Sequence, residues 1–438
     1  MRRLLYYAAA LIVICGSFIF TLKAADYLGT NDSTSIRRYT FHDYYEQDDI
    51  DVLFLGSSQV FFSIDCGIMD EKLGKSTFDL GTASQRLNMS SVLLKDAVRR
   101  YHPEQVYVYL GYRQSTGTKE KNDINNLVYV TDNLRSLPEK YMMIIKQLNP
   151  DEYMNAILPV RRDLEALFDP ETLAATLAVK STEAYKNYDA CQFVQNPAYA
   201  GKGHVAGERS VEDGSMLSVY TPYPINTGSC TDTWKRSIKE IIDFCSAEGI
   251  GLTFFAPPLP SCDLLALENQ DALIQEINTL IAGTGVTFVD FSLLRKEYWP
   301  DTSALYHDDT HLNQVGAERF TEIFADYING DLSADEIFYG SVTERFEDLD
   351  PAFYGASTRD IHSEEAPGKE YHLIGNPAGQ IEYKVDLYPG DDQVIELQDF
   401  NKNDRIFINK GTPGSLKVYA RLEGNTDILA EAEIRLKD

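Results

Sequence analysis

In two stretches of the chain, short apolar runs that stop at glycine or proline alternate with segments whose apolar residues recur at helical spacing. This pattern predicts five strands, at residues 52–55, 76–80, 105–110, 251–256 and 286–291. It predicts the neighbouring helices at 66–73, 87–101, 234–247, 264–282 and 313–328. Strands that alternate with helices indicate a parallel sheet with right-handed crossovers. The predicted fold class is therefore α/β, a three-layer α/β/α domain over residues 49–335.

Residues 114–232 interrupt this alternation. Helical periodicity near 133–147, 150–168 and 170–186 precedes a stretch at 196–229 that is rich in Gly, Ser and Pro. We interpret the segment as a helical insertion over the C-terminal edge of the sheet, where loops often carry function. The sequence leaves open whether the insertion is a lid, a substrate-selecting wall or a structural cap.

Beyond residue 335 the pattern changes to short segments of alternating polarity. They lie at 381–385, 393–397, 405–408, 415–421 and 428–436, with turns at 389–392 and 411–414. We expect a small C-terminal β-sandwich within residues 340–438. Since it contains no evident nucleophile or metal cluster, its expected role is binding or packing.

The N-terminus begins with Arg2 and Arg3, followed by an uncharged run from Leu4 to Leu22. A run of this length nearly spans the core of a bilayer. The basic residues before it place the N-terminus in the cytoplasm and the body outside the membrane. We expect an uncleaved membrane anchor at 1–25 and a polar, aromatic stalk at 26–48. A cleaved signal peptide is the alternative, although the sequence around Lys23 makes a poor cleavage site.

Composition narrows the classes of function. The net charge of −27 disfavours a nucleic-acid-binding protein, which needs a basic surface. None of the six cysteines has the CxxC spacing typical of zinc sites. The chain also lacks the glycine-rich motifs of nucleotide-binding loops. We therefore expect no cofactor and no metal.

Two short motifs bear the candidate chemistry. The first predicted strand delivers Ser57 and Ser58 to the C-terminal edge of the sheet, where ligands bind in open α/β folds. Asp308 precedes His311 by three residues, in a loop just before the last predicted helix. A carboxylate so placed can orient an imidazole, which can then deprotonate a serine hydroxyl.

Other interpretations of these residues stay open. The two serines can simply cap the turn after the strand, as serines often do. His307 is a competitor for the role of His311. Asp309 can replace Asp308 as the orienting carboxylate.

Gly56-Ser57-Ser58, the stretch 79–85 and Asp308-x-x-His311 resemble, in order and spacing, sequence blocks of the SGNH (GDSL-like) hydrolase superfamily. The resemblance covers residues 49–115 and 235–330. It is strongest to membrane-anchored Gram-positive members with Gly-Ser-Ser in place of Gly-Asp-Ser, such as the D-alanine transfer protein of teichoic acid synthesis. It implies an SGNH-like sheet, with Ser58 as the nucleophile.

The resemblance also implies an oxyanion hole. The backbone N–H of Ser58 is one donor, and the N–H of Gly81 is the second. Gln85 is a further candidate. Arg113 stands where the family usually has an asparagine. This departure leaves Arg113 either as an oxyanion or phosphate contact or as half of a structural ion pair.

Together these features predict a membrane-anchored, extracytoplasmic serine esterase or O-acyltransferase. The resemblance implies that it acts on acyl esters of a cell-envelope glycan or teichoic-type polymer, with a polytopic membrane O-acyltransferase as a possible partner. The alternatives are a catalytically silent SGNH-like scaffold or glycan-binding module, and an assembly factor that acts through its anchor helix.

Overall fold

The computed structural model describes residues 2–115, 124–195, 197–208, 229–267, 269–308, 310–361, 367–390 and 393–436. The strands, in chain order, are β1 (Val52–Leu55), β2 (Thr77–Asp79), β3 (Gln105–Tyr109), β4 (Ala198–Gly201), β5 (His204–Ala206), β6 (Gly251–Ala256), β7 (Thr287–Asp290), β8 (Ala352–Ile361), β9 (Gly368–Asn376), β10 (Ile381–Tyr388), β11 (Ile395–Asn401), β12 (Arg405–Asn409), β13 (Ser415–Leu422) and β14 (Ala430–Arg435).

The helices connect these strands and build the insertion. In chain order they are α1 (Arg2–Gly29), α2 (Ile36–Glu46), α3 (Ser58–Phe61), α4 (Cys66–Leu73), α5 (Leu87–Tyr101), α6 (Tyr112–Ser115), α7 (Ile124–Thr131), α8 (Leu137–Gln147), α9 (Tyr153–Ile157), α10 (Pro170–Ser181), α11 (Glu183–Lys186), α12 (Asp232–Glu248), α13 (Ser261–Leu265), α14 (Gln270–Ile281), α15 (Gln314–Asn329), α16 (Ala334–Ile337) and α17 (Val342–Asp348).

The central sheet is parallel, with the strand order β2-β1-β3-β6-β7. The residues of β1 are all buried, as expected for a parallel strand covered on both faces. Leu53 and Leu55 point into one core cluster, which contains residues of α5 and α12. Val52 and Phe54 point into the other, which contains residues of α4 and α15. This arrangement confirms the predicted α/β class and its three layers.

The predicted helix at 264–282 is wrong in detail, because two helices, α13 and α14, occupy this region. Asn269 has φ −131° and ψ 28°, which are not helical values, and α14 begins just after it. The predicted helix at 150–168 is also wrong. There, α9 is followed by 3₁₀ turns at Pro159–Asp163 and Glu165–Leu167. Pro159 explains the break, since proline disfavours helical geometry at the preceding residue, and Leu158 is extended.

The expected stalk at 26–48 is not what the structure shows. The helix α1 continues through Gly29, and α2 packs on the α/β core with Phe41, Tyr44 and Tyr45. Its arginines are buried because their guanidinium groups stack on aromatic rings. Arg38, for example, lies 3.9 Å from the ring centroids of both Tyr185 and Tyr188. The body therefore begins at α2, close to the end of α1.

The insertion contains a hairpin, β4-β5, that the sequence pattern does not predict. The carbonyl of Lys202 in its turn accepts the backbone N–H of Asp79, at 3.0 Å. Just after β5, the carbonyl of Gly207 accepts the N–H of Gln314, also at 3.0 Å. The hairpin thus lies across the C-terminal edge of the sheet. The part of the insertion at 209–228 lies outside the described residues.

The C-terminal region forms two antiparallel sheets, β11-β10-β13-β14 and β12-β9-β8, that share one apolar core. It is a β-sandwich, as predicted, although β8 and β9 are missing from the strands predicted from the sequence. Glycine and small polar residues weaken the alternation along β8. The hydroxyl of Tyr354 on β8 donates to Asp301 at 2.6 Å, which joins the sandwich to the α/β domain.

The N-terminal helix α1 contains one segment, Ala10–Gly29, that is long and apolar enough to cross a membrane. Its mean hydropathy is 1.7. A signal sequence passes the same test of length and composition.

Candidate active site

The first sequence motif forms a tight turn at the end of β1. The side chain of Ser57 caps α3 by accepting the N–H of Gln59 at 3.4 Å, and Ser58 is the first residue of that helix. A side chain at position 56 would collide with Val60 and Tyr109, so only glycine fits between β1 and α3. The turn therefore holds Ser58 at the C-terminal edge of the sheet.

The second motif reaches this serine from the far end of the domain. His311 Nε2 lies 2.8 Å from Ser58 Oγ, and His311 Nδ1 lies 2.8 Å and 3.0 Å from the two carboxylate oxygens of Asp308. Because a carboxylate can only accept, the proton of the neutral ring sits on Nδ1. The Nε2 atom is then the acceptor for the Ser58 hydroxyl, as a general base requires.

The Asp308 carboxylate is held in place by the loop that carries it. One oxygen accepts the backbone N–H groups of Thr310, at 2.9 Å, and of His311, at 2.8 Å. Burial opposes the charge of this carboxyl, but the His311 ring and the two N–H donors outweigh it and hold its pKa below the ordinary value. Asp308 is therefore ionised at neutral pH.

The alternative residues lie in other environments. The hydroxyl of Ser57 caps α3, and Nδ1 of His307 bonds to the carbonyl oxygen of Glu208. The ring of Phe62 packs against those of both His307 and His311, with centroids 5.6 Å and 4.8 Å away. Asp309 lies outside the described residues. Of the two histidines, His311 is the one hydrogen-bonded to Ser58.

The predicted oxyanion donors are only partly assembled. The N–H of Ser58 is at the start of a helix, where no intrahelical carbonyl accepts it. The N–H of Gly81, in contrast, donates to Asp79 Oδ1 at 2.7 Å. In this conformation it is occupied, contrary to the expectation of a free donor.

Gln85 and Arg113 do not complete the oxyanion hole in the described structure. Gln85 is buried, with Nε2 donating to Ser90 and Oε1 accepting from Thr82, each at 2.9 Å. These bonds give its amide a structural role. The backbone of Arg113 lies in α6, and its side chain lies outside the described part of the chain.

Two buried ionisable residues beside this turn were not predicted from the sequence: Arg37 of α2 and Asp79 at the end of β2, whose charges attract each other. The Arg37 guanidinium donates to the carbonyl oxygen of Gly81 and stacks 4.4 Å from the ring centroid of Phe61. Burial lowers the pKa of Arg37 to about 10. It raises the pKa of Asp79 to about 7, although the Gly81 N–H and Arg37 oppose the shift. No sequence signal singles out this pair, because Arg37 lies in a segment of polar composition.

Asp79 has a second carboxylate oxygen, Oδ2, for which the described residues provide no hydrogen-bond partner. A buried, half-satisfied carboxyl favours its protonated form. A carbon at the Cβ position of residue 81 would lie 3.2 Å from the carbonyl oxygens of both Gly56 and Ser57. The Asp79 carboxyl therefore adjoins the serine turn through Gly81.

We expect Asp79→Asn to change how stability depends on pH. The folded-state pKa of about 7 exceeds the ordinary value of 3.8, so between these values the folded chain keeps a proton that the unfolded chain has released. Over this window the free energy of unfolding of the wild type should fall with rising pH, relative to the variant, by up to about 1.4 kcal/mol per pH unit. Urea unfolding of both proteins from pH 4 to pH 8 measures the difference. Parallel pH profiles would show that Asp79 has an ordinary pKa.

His204 of the hairpin connects the two motifs. One ring nitrogen, Nδ1, lies 3.1 Å from the carbonyl oxygen of Phe61 in α3. The other, Nε2, lies 3.0 Å from the Oε1 of Gln314, at the start of α15. Since α3 carries Ser58 and α15 follows His311, this buried side chain links the elements that position the serine and the histidine.

The fold and the site together define an α/β protein with a Ser-His-Asp hydrogen-bonded chain at the C-terminal edge of its sheet. No family model and no curated protein matches the sequence. Three solved structures are similar in fold: a candidate platelet activating factor from Streptococcus pneumonia, a candidate acylhydrolase from Bacteroides fragilis and a GDSL-like lipase from Bacteroides thetaiotaomicron.

The similarity to these structures is low. Their sequence identities are 11%, 12% and 11%, and their TM-scores are 0.33, 0.33 and 0.31. The matches cover 73%, 68% and 68% of this chain, and 99%, 98% and 100% of the other chains, respectively. A functional assignment for this chain therefore depends on its own site.

Proposed function

We propose that this protein is a serine esterase or O-acyltransferase with Ser58 as nucleophile, His311 as general base and Asp308 as the residue that orients the imidazole. The observation that carries the proposal is the continuous hydrogen-bonded chain from Ser58 Oγ through both ring nitrogens to Asp308. A serine hydroxyl is a weak nucleophile at neutral pH, and such a base activates it.

The chemistry has two half-reactions. Ser58 Oγ bonds to the carbonyl carbon of an acyl ester as its proton passes to His311 Nε2. The tetrahedral intermediate collapses when His311 donates that proton to the leaving alkoxide, and the acyl group stays on Ser58. In the second half, a water or an acceptor hydroxyl attacks the acyl carbon and His311 again takes and returns one proton. Water gives hydrolysis and an acceptor hydroxyl gives transfer.

The substrate class and location are part of this proposal. The apolar segment of α1 and the basic residues Arg2 and Arg3 at the start of this helix support a single-pass membrane protein with a cytoplasmic N-terminus and an extracytoplasmic body. An acylated cell-envelope glycan or teichoic-type polymer suits that position. A polytopic membrane O-acyltransferase is the expected partner if the reaction is transfer.

A second candidate function is a catalytically silent scaffold or glycan-binding module. The Gly81 N–H and the Gln85 amide already donate to Asp79 and Ser90, respectively. This favours a silent scaffold, because acyl transfer needs preorganised donors aimed at the developing oxyanion. An activated serine distinguishes the two functions, since a scaffold has no need of one.

The test is labelling of the detergent-solubilised full-length chain with a fluorophosphonate probe, followed by peptide mass spectrometry. We expect labelling at Ser58, and its loss in Ser58→Ala and in His311→Ala. Ser57→Ala is the matched control and should still be labelled. Folded wild-type protein that stays unlabelled at several probe concentrations would favour the scaffold.

A further inference from the structure

Outside α1, the exposed large apolar side chains of the described α/β domain are concentrated in the insertion. Val315 is the one that lies elsewhere. The insertion exposes Tyr129, Leu137, Tyr141, Ile145, Met154, Leu164, Phe168 and Leu177. Phe168 is the most prominent, with 82% of its surface exposed. Exposed apolar side chains that form a patch mark contacts with a partner or a membrane, so these residues are candidates for such a contact.

This surface is attached to the end of the apolar helix. Asp26 of α1 accepts the N–H of Val160 at 2.8 Å, and the carbonyl oxygen of Tyr27 accepts a bond from Lys180 at 2.6 Å. A Cβ on Gly29 would lie 3.0 Å from the side chain of Leu167, the neighbour of Phe168. The segment 153–181 therefore packs directly on α1.

The exposure of the residues of α1 shows where along this helix the body of the protein begins to cover it. Residues 10–21 are exposed, and the body begins to cover α1 at Leu22, the last residue of the uncharged run. From Leu22 to Gly29 an α-helix rises about 10 Å. The headgroup region on each side of a bilayer core is about 5–8 Å thick. The contacts at Asp26, Tyr27 and Gly29 thus lie about 6–10 Å beyond Leu22, from within the headgroup layer to just outside it, when α1 spans the membrane.

We propose that segment 153–181 is a membrane seat, whose exposed side chains Leu164, Phe168 and Leu177 insert into the outer leaflet beside α1. This proposal rests on retention of α1 as the anchor and is independent of catalysis by Ser58. An interfacial segment with an apolar face buries that face about 5–10 Å into the headgroup and acyl boundary. Because the segment packs on the end of the apolar helix that would span the membrane, lipid is the apolar phase nearest to it and is its proposed occupant.

Charge supports an apolar rather than an electrostatic contact. The chain has a net charge of −27, which repels an anionic membrane surface. In the seat, Arg162 is paired with Asp132 and the ammonium group of Lys180 is bonded to Tyr27. We therefore expect the seat to hold in neutral lipid and at high salt.

Hydrogen bonds connect the neighbourhood of the seat to the candidate active site. Tyr185, in the next helix α11, donates to Asp32 at 2.7 Å, and its carbonyl oxygen accepts a hydrogen bond from Arg38 at 2.7 Å. The preceding residue, Arg37, donates to the carbonyl oxygen of Gly81, which adjoins the turn that carries Ser58. The α/β domain would therefore lie against the membrane with Ser58 at a fixed height, instead of moving on a flexible stalk.

The test uses the full-length chain in phosphatidylcholine vesicles with or without bromine on the acyl chains. The two native tryptophans, Trp234 and Trp299, are buried and supply the baseline emission. Phe168→Trp reports on the seat, and Phe407→Trp, on an exposed phenylalanine of the C-terminal sandwich, is the matched control. Leu177→Trp is a second probe in case the first variant misfolds.

We expect brominated lipid to remove most of the added emission of Phe168→Trp and of Leu177→Trp, at low and at high salt. The added emission of Phe407→Trp should instead be lost to aqueous iodide. Probes at 168 and 177 that iodide quenches as it does at 407, or that neither quencher reaches, would overturn the seat. Protein that does not float with the vesicles would overturn the anchor and the seat together, whatever the result of labelling at Ser58.

Discussion

Asp308→Asn is expected to slow the reaction of Ser58 by about 10⁴-fold, because it reverses the hydrogen bond that sets the tautomer of His311. In the wild type, the carboxylate accepts the proton on Nδ1 and leaves Nε2 as acceptor for Ser58. An asparagine amide donates to Nδ1 instead, which places the ring proton on Nε2. The general base is then lost although every atom stays close to its place.

The measurement is the rate of fluorophosphonate labelling at neutral pH, for wild type and Asp308→Asn. The pKa of Asp308 is lowered on balance, by His311 and the loop N–H groups against burial. Its contribution to stability is therefore present above the ordinary aspartate pKa and is lost only as pH falls through the lower folded-state value. At neutral pH the labelling rate thus reports on the imidazole and not on acid unfolding.

Asp309→Asn is the matched control, since the sequence leaves both aspartates as candidates for the orienting role. We expect this variant to label at nearly the wild-type rate. Equal losses at 308 and 309 would point to a general disturbance of the loop. A large loss at 309 alone would transfer the orienting role to that residue.

The central sheet was predictable because local signals and burial agree there. The strand β1 is an unbroken apolar run that stops at Gly56, and its predicted bounds match those in the structure. The pattern also gives β6 and α5 correctly, whereas β2 and β7 are shorter at each end than predicted. An apolar run that ends at glycine thus predicts that a strand is present. It does not predict at which residues the hydrogen bonding of that strand begins and ends.

The missed elements are those stabilised by contacts between distant parts of the chain. The helix α2 is polar in composition. Its burial depends on the stacking of Arg38 on Tyr185 and Tyr188, which belong to the insertion. The hairpin β4-β5 is short, and its glycines are needed for close approach: a side chain on Gly203 would collide with the backbone of Asp79. Neither contact leaves a periodic signal in the sequence.

The candidate active site likewise has one part that the sequence predicts and one part that depends on contacts between distant residues. Ser58 and His311 are 253 residues apart, and the alternation of strands and helices suffices to bring them to one edge of the sheet. The oxyanion hole was less predictable, because the state of Gly81 depends on the neighbouring Asp79 carboxyl. That carboxyl in turn depends on Arg37, from a segment that the sequence assigns to a stalk.

Arg37→Met is expected to have the largest effect on stability, about 2–4 kcal/mol at pH 8, because it removes several interactions of one buried side chain at once. One of them is the favourable charge interaction with the buried Asp79 carboxyl. The substitution also removes the hydrogen bond to the Gly81 carbonyl and the stacking on Phe61. The measurement is the free energy of unfolding in urea. Arg236→Met, the same change at an exposed arginine, is the control and should stay within about 0.5 kcal/mol of wild type.

The pH dependence of this loss identifies its cause. The pKa of Asp79 is about 7 in the wild type, so its carboxyl is mostly ionised at pH 8 and mostly protonated at pH 5. The cost of removing Arg37 should therefore be smaller at pH 5. In an Asp79→Asn background no carboxylate remains, so the cost should be the same at both pH values and should reflect only the lost Gly81 bond and Phe61 stacking. A cost of the same size at both pH values and in both backgrounds would assign the role of Arg37 to packing and the Gly81 bond alone, and would remove the charge of Asp79 from the account of this site.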